Sequence, residues 1–240
     1  MLSKNEVKYI QSLYQKKTRD KEGLFIAEGP KLVNELLQSN FVIKNIYCRH
    51  EWMENCNRKN DFIEVSEDEL KRISNLQTPH GILAIVQQKN NEYEPALFSN
   101  LSLVLDGIQD PGNMGTIIRT ADWFGIHQVI ASEDTADIYN PKVVQATMGS
   151  IANVNVWYKN IEQWLKALPV NVFGASLHGS SLHDSGKIKE GVLVIGNESK
   201  GIRNNILPYI QYPLTIPRIG NPESLNAAVA TGIILSHITG

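Results

Sequence analysis

Three short segments gather polar and conformationally permissive residues in patterns that suit ligand chemistry. The first runs Asp106-Gly-Ile-Gln-Asp-Pro-Gly-Asn-Met-Gly-Thr-Ile-Ile-Arg119. Asp110-Pro-Gly112 is turn chemistry, and a helix then opens near Asn113, which is placed to cap it. Arg119 falls about one and a half turns further on. It reads either as a cation aimed at an anion or as a helix-surface arginine. The second segment is Val194-Ile-Gly-Asn-Glu-Ser-Lys-Gly201. It lacks the spacing of a phosphate loop, but glycines on both sides of Glu198 let the backbone pass close to a ligand. An ordinary strand-to-helix turn is the alternative. The third is Ile216-Pro-Arg-Ile-Gly-Asn-Pro-Glu-Ser-Leu-Asn226, running into Ala227-Ala-Val-Ala230. Ser224 is the expected N-cap, with Asn226 in the first turn and its amide exposed. Both polar residues also fit a capping role alone.

Each segment sits just after an expected strand. In open α/β sheets ligands bind outside the carboxyl ends of strands, so position alone marks these loops. Leu101–Leu105, Gln128–Ala131, Val172–Ala175 and Val192–Ile195 read as strands. Met114–Phe124, Val143–Met148 and Ser224–His237 read as helices. This alternation implies a covered parallel sheet over residues 100–240. The polar, Pro-terminated stretch Gln87–Pro95 divides the chain, giving a domain over 1–90 and a linker over 91–99. The first domain shows strands at Leu24–Ala27, Val42–Tyr47, Phe62–Val65 and Ile82–Val86. Helices are expected near Asn5–Gln15, at Pro30–Gln38 and at Ser66–Ile73, the last with a capping box Ser66-Glu-Asp-Glu69.

Composition narrows the classes. Apolar residues make up 42% of the chain and charged residues 20%, enough for a proper core. The formal charge of −2 gives no overall basic excess. Basic residues do gather early: Lys4, Lys8, Lys16, Lys17, Arg19 and Lys21 stand against Glu6 and Asp20, with Tyr9 and Tyr14 interleaved. That is either a phosphate-docking surface or a solvated amphipathic helix. Cys48 and Cys56 form no C-x-x-C or zinc pattern. The six histidines make no H-E-x-x-H pair, so no metal is expected. The absence of G-x-G-x-x-G argues against a Rossmann-type enzyme. With no signal-like leader and no apolar run of about 18 residues, a soluble cytoplasmic protein without a membrane segment is expected.

The three segments, in this order and spacing, resemble the SpoU family of RNA 2′-O-ribose methyltransferases in the SPOUT superfamily. The resemblance covers residues 100–240. Residues Phe25-Ile-Ala-Glu-Gly-Pro30 and Thr78-Pro-His-Gly81 resemble the ribosomal-protein-like α/β substrate-binding domain that precedes the catalytic domain in many members. The resemblance implies a C-terminal parallel-sheet domain with a trefoil knot, a homodimer, and S-adenosyl-L-methionine as methyl donor. It places donor contacts at Gly196, Asn197, Ile216 and Leu225, with Ala175, Ser176 and Leu177 lining the adenine side. Gly196 would exclude a side chain because the donor approaches the backbone there. Asn113, Arg119, Glu198, Ser224 and Asn226 match the family's polar catalytic positions.

For Arg119 the resemblance leaves two roles open, a base or a fixed cation that stabilises developing alkoxide. Asn113 and Glu198 would hold it in place, and Ser224 and Asn226 would fix the loop and ribose. Lys8, Lys16, Lys17, Arg19 and Lys21 would contact RNA. Ser199, Ala227-Ala-Val229 and Arg218 depart from the common family pattern, but none removes a catalytic position. Ribosomal RNA is the first expected substrate and transfer RNA the second. The rival readings are a non-catalytic RNA-binding module that retains the fold and a small-molecule α/β enzyme.

Overall fold

A computed structural model describes residues 1–54, 62–89 and 94–239. Cys56 and part of the expected linker lie outside the described residues. The chain forms two units, Met1–Asn90 with Tyr139–Ala152, and Asn91–Ile138 with Asn153–Gly240.

The first unit begins with helices α1 (Lys4–Ser12) and α2 (Lys16–Glu22). It continues through β1 (Leu24–Glu28), α3 (Pro30–Gln38), β2 (Ile43–Cys48), α4 (His50–Glu54), β3 (Phe62–Glu64), α5 (Glu67–Ile73) and β4 (Ile82–Gln87). The sheet order is β1-β4-β2-β3; β4 runs antiparallel to both β1 and β2, and β3 runs parallel to β2. The expected capping box at Ser66 and Glu69 is present. Val7, Ile10, Leu13, Ile26, Leu70, Ile73 and Leu83 form one side of the core.

The single helix expected over Asn5–Gln15 is instead two helices with a break at Leu13–Gln15. Arg19 explains the break. It is only 2% exposed, and its Nη1 donates to the carbonyl oxygens of Tyr14 at 2.8 Å and Leu13 at 3.4 Å. The guanidinium thus takes up carbonyls that the broken helix leaves free. This corrects the reading of Arg19 as an RNA contact, because a buried guanidinium does not meet a phosphate. Lys8 and Lys17 are exposed; Lys16 pairs with Asp20 at 3.0 Å and Lys21 with Glu22 at 3.8 Å.

The second unit carries β5 (Leu101–Asp106), α6 (Pro111–Trp123) and β6 (Gln128–Ser132). Helix α7 (Pro141–Thr147) belongs to the first unit, where it packs on β1 and the rings of Tyr139 and Phe25 lie 4.8 Å apart. The second unit resumes with β7 (Asn155–Lys159), α8 (Ile161–Lys166), β8 (Val172–Ser181), β9 (Gly191–Gly196), β10 (Tyr212–Thr215) and α9 (Ala227–Thr239). Its six strands pair in parallel in the order β10-β8-β9-β5-β6-β7. Every residue of the central strand β5 is buried, as a parallel strand covered on both faces requires. Strands β7 and β10 have no counterpart in the sequence reading. Both are edges, and β10 contains Pro213, which only an edge strand tolerates. Helix α9 packs against α6. Among the described residues no helix is long and apolar enough to cross a membrane.

Arg19→Ala leaves the Tyr14 carbonyl without its partner and is expected to cost about 2 kcal/mol. Urea unfolding measures this as a lowered midpoint. An unchanged midpoint with weakened RNA binding would return Arg19 to the surface.

Candidate active site

Asp106 and Gly196 are register partners at the carboxyl ends of the adjacent strands β5 and β9. The loops that follow turn towards each other. Asp110, not Asn113, caps α6: its Oδ1 accepts the Asn113 N–H at 2.8 Å, and Pro111 takes the first helical position. This corrects the expected cap and frees the Asn113 side chain for other work. Its amide nitrogen donates to Glu198 Oε1, and its oxygen accepts from Asn226 Nδ2 at 2.8 Å. One side-chain amide therefore joins all three loops.

The third loop also differs from expectation. Asn226, not Ser224, caps α9. Its Oδ1 accepts the N–H groups of Ala228 at 3.0 Å and Val229 at 3.2 Å, and its carbonyl accepts the Ala230 N–H at 2.9 Å. The Ser224 hydroxyl reaches back to the Glu198 carbonyl at 3.4 Å. Four of the five expected catalytic residues thus lie within one hydrogen-bonded group. Arg119 stands apart. It is six residues beyond Asn113, about 9 Å along the helix and about 120° round it. It is exposed, and among the described residues its side chain has no polar partner. Asn113 and Glu198 bind each other and not Arg119, contrary to expectation.

The second loop is fixed by its own backbone. Asn197 and Gly201 form an isolated bridge, and Asn197 Oδ1 accepts the N–H groups of Ser199 at 3.0 Å and Lys200 at 3.3 Å. A Cβ on Gly196 would lie 2.5 Å from the Gly201 carbonyl oxygen and closer still to Gly201 C and Ile202 N. Gly196 is therefore excluded from bearing a side chain by the protein itself, which corrects the reading that a donor alone enforces it.

Strand β8 meets β10 with a register shift: Pro213 pairs with Gly174, but Leu214 pairs with Ser180. Residues 175–179, which include Ala175, Ser176 and Leu177, therefore bulge out of the ladder. A Cβ on Gly179 would collide with the Pro213 carbonyl, so the base of the bulge closes directly on β10. Leu177 is 62% exposed and Leu225 44%, while Ile216 is half-buried. The Thr215 hydroxyl is buried without a hydrogen-bond partner, and among the described residues, 217–225 make no backbone–backbone hydrogen bond, the Pro222 carbonyl accepting only from Arg218 Nη1 at 3.1 Å. Exposed apolar side chains, an orphaned hydroxyl and unused backbone groups at adjacent strand ends fit an S-adenosylmethionine-sized ligand held by backbone and apolar contacts. Among the described residues no three His, Cys, Asp or Glu side chains are grouped to hold a metal ion.

Sequence reasoning missed one feature. Asp106 is fully buried at the end of an apolar strand and is ion-paired with Arg203, 97 residues away. The only local signal is a carboxylate closing the run Leu101–Leu105. Alongside, the Ser132 hydroxyl donates to Asp134 Oδ1 at 2.7 Å and holds the Asp134 carboxyl below the usual carboxylate range.

This combination of parallel sheet, three converging strand-end loops and strand bulge defines a SPOUT-type methyltransferase domain. The chain belongs to the SpoU rRNA Methylase family, which it matches over residues 100–236, and residues 4–84 match the MRM3-like substrate binding domain. It is 33% identical to the 23S rRNA (guanosine(2553)-2′-O)-methyltransferase RlmP of Bacillus subtilis, covering 99% of this chain and 98% of that protein. A Porphyromonas gingivalis structure assigned to the TrmH family superposes with a TM-score of 0.89 at 38% identity, covering 99% of this chain and 98% of that one. The AdoMet-bound rRNA methyltransferase of Sinorhizobium meliloti superposes with a TM-score of 0.87 at 32% identity, covering 99% and 95%.

Gly196→Ala is expected to lower stability by about 1–3 kcal/mol, since a methyl forced against backbone must displace it. Thermal unfolding reads this as a reduced Tm, with donor binding lost alongside. An unchanged Tm would mean that the 196–202 loop yields freely.

Proposed function

We propose that this protein transfers the methyl group of S-adenosylmethionine to a ribose 2′-hydroxyl of ribosomal RNA. The observation that carries the reading is the Glu198–Asn113–Asn226 hydrogen-bonded group beside Gly196, in a chain aligned nearly end to end with a 23S rRNA ribose methyltransferase. Bound S-adenosylmethionine supplies an electrophilic methyl on a sulfonium. Backbone groups at Gly196, Asn197, Ile216 and Leu225 hold the donor, and the bulge at Ala175, Ser176 and Leu177 lines its adenine side. The ribose oxygen would lie in line with the methyl, the C–O bond forming as the S–CH3 bond breaks and the hydroxyl proton passing to solvent water. Asn113, Asn226 and Ser224 fix the loops around that oxygen, and Glu198 sets the Asn113 amide.

Arg119 acts as the cation of the site. A guanidinium stays protonated in proteins, so it stabilises developing alkoxide and an adjacent phosphate better than it removes a proton. Its exposure and its free donors support that role. Residues 1–90 dock the RNA, with Lys8, Lys16, Lys17 and Lys21 as phosphate contacts, and residues 100–240, joined through 91–99, carry out transfer. Membership of the SpoU family supports a trefoil knot around the donor. Ala227, Ala228 and Thr231 are buried within the chain, whereas Val229 and Ile233 on α9 are 51% and 38% exposed and support pairing of two copies. The likeness to a bacterial rRNA methyltransferase supports a cytoplasmic enzyme.

Arg119→Ala should bind S-adenosylmethionine nearly as tightly as the parent, yet methylate RNA about 10²-fold more slowly in a single turnover. Arg119→Lys should rescue little, because an ammonium lacks the planar fork. A near-normal rate in the alanine variant removes Arg119 from the mechanism.

A further inference from the structure

The buried carboxylate of Asp106 takes no part in the chemistry proposed above. Its Oδ2 accepts the Arg203 backbone N–H at 2.8 Å, and its Oδ1 accepts Arg203 Nε at 2.5 Å, with Nη2 in contact as well. Arg203 Nη1 also reaches Asp134 at 3.5 Å. At the other end of the same loop, Asn197 Nδ2 donates to the Gly107 carbonyl at 2.8 Å, and the Gly107 N–H donates to Ser132 Oγ at 2.9 Å. The loop from 196 to 203 is therefore tied down at Asn197 and at Arg203, both times to the segment that leads from β5 to α6. Glu198 lies between the two ties and bonds Asn113. Asp106 is buried but the Arg203 side chain is 42% exposed, and an ion pair open to solvent on one side adds little net stability once the carboxylate's desolvation is counted, so stability alone does not account for this one. What it supplies is a fixed distance between the carboxyl ends of β5 and β9.

We propose that Arg203, acting through Asp106, is a positioning residue that sets Glu198 against Asn113. The proposal rests on the methyl-transfer reading. It is tested in the full-length protein with S-adenosylmethionine and ribosomal RNA, by single-turnover rates of the parent, Arg203→Ala, Glu198→Ala and the double variant. Arg203→Ala should slow transfer by about 10²-fold, the order expected when a reacting geometry slips by about 1 Å. In the Glu198→Ala background the same change should cost about twofold or less, because its target is already gone. Donor affinity, measured by calorimetry, should stay near that of the parent. An equal loss in both backgrounds overturns the proposal, since Arg203 would then act independently of Glu198. If Arg203→Ala fails to fold, Asp106→Asn carries the same cycle, as it keeps the side-chain volume and one acceptor. If both fail to fold, the pair holds up the domain and aims nothing, which also overturns the proposal. No methyl transfer by the parent protein would instead refute the underlying reading.

Discussion

One side-chain amide holds the proposed site together. The Asn113 amide nitrogen donates to Glu198 and its oxygen accepts from Asn226, and so the side chain joins segments that lie 85 and 113 residues away in sequence. An exposed loop must offset its own ordering entropy, about 1–2 kcal/mol per residue fixed, and a hydrogen bond to a charged group returns about 1.5–3 kcal/mol. Neither bond alone would order two loops. The amide succeeds because the rest of the sheet has already placed them. The β5–β9 register sets Asp106 beside Gly196, and Asp110 takes over the capping of α6 that would otherwise occupy Asn113.

Much of this was legible in the sequence, for a physical reason. Buried parallel strands are continuous apolar runs, and β5, β6 and β9 were each found to within a residue or two. Loops that break such runs with Gly, Asn and Pro must lie at strand ends, so the three site segments stood out. Other features were hidden. Strands β7 and β10 are edges whose short patterns give no core signal. The cap of α6 was misplaced because Asp110 and Asn113 are both good caps, although Pro111 carries the deciding preference for the first helical turn. Arg19 looked like part of a basic surface, and only the break between α1 and α2 shows why it is buried. Asp106 and Arg203 meet across the sheet, a pairing no local pattern encodes. Gly196 was rightly read as unable to carry a side chain, but the obstacle is the Gly201–Ile202 backbone.

The proposed division of work rests on each unit's own surface. The first offers exposed lysines on helices α1 and α2, suited to phosphates and indifferent to base identity. The second offers a donor-sized set of backbone groups, a rigid polar group and the exposed guanidinium of Arg119. Under the proposed reading the first unit docks the RNA and the second transfers the methyl group.

The most direct measurement is a map of 2′-O-methylation across ribosomal RNA from cells with and without this protein. The account predicts a discrete ribose position whose methylation is lost without the protein and restored by the purified enzyme with S-adenosylmethionine. An unchanged ribose map, or a methyl that appears on a base instead, would contradict it.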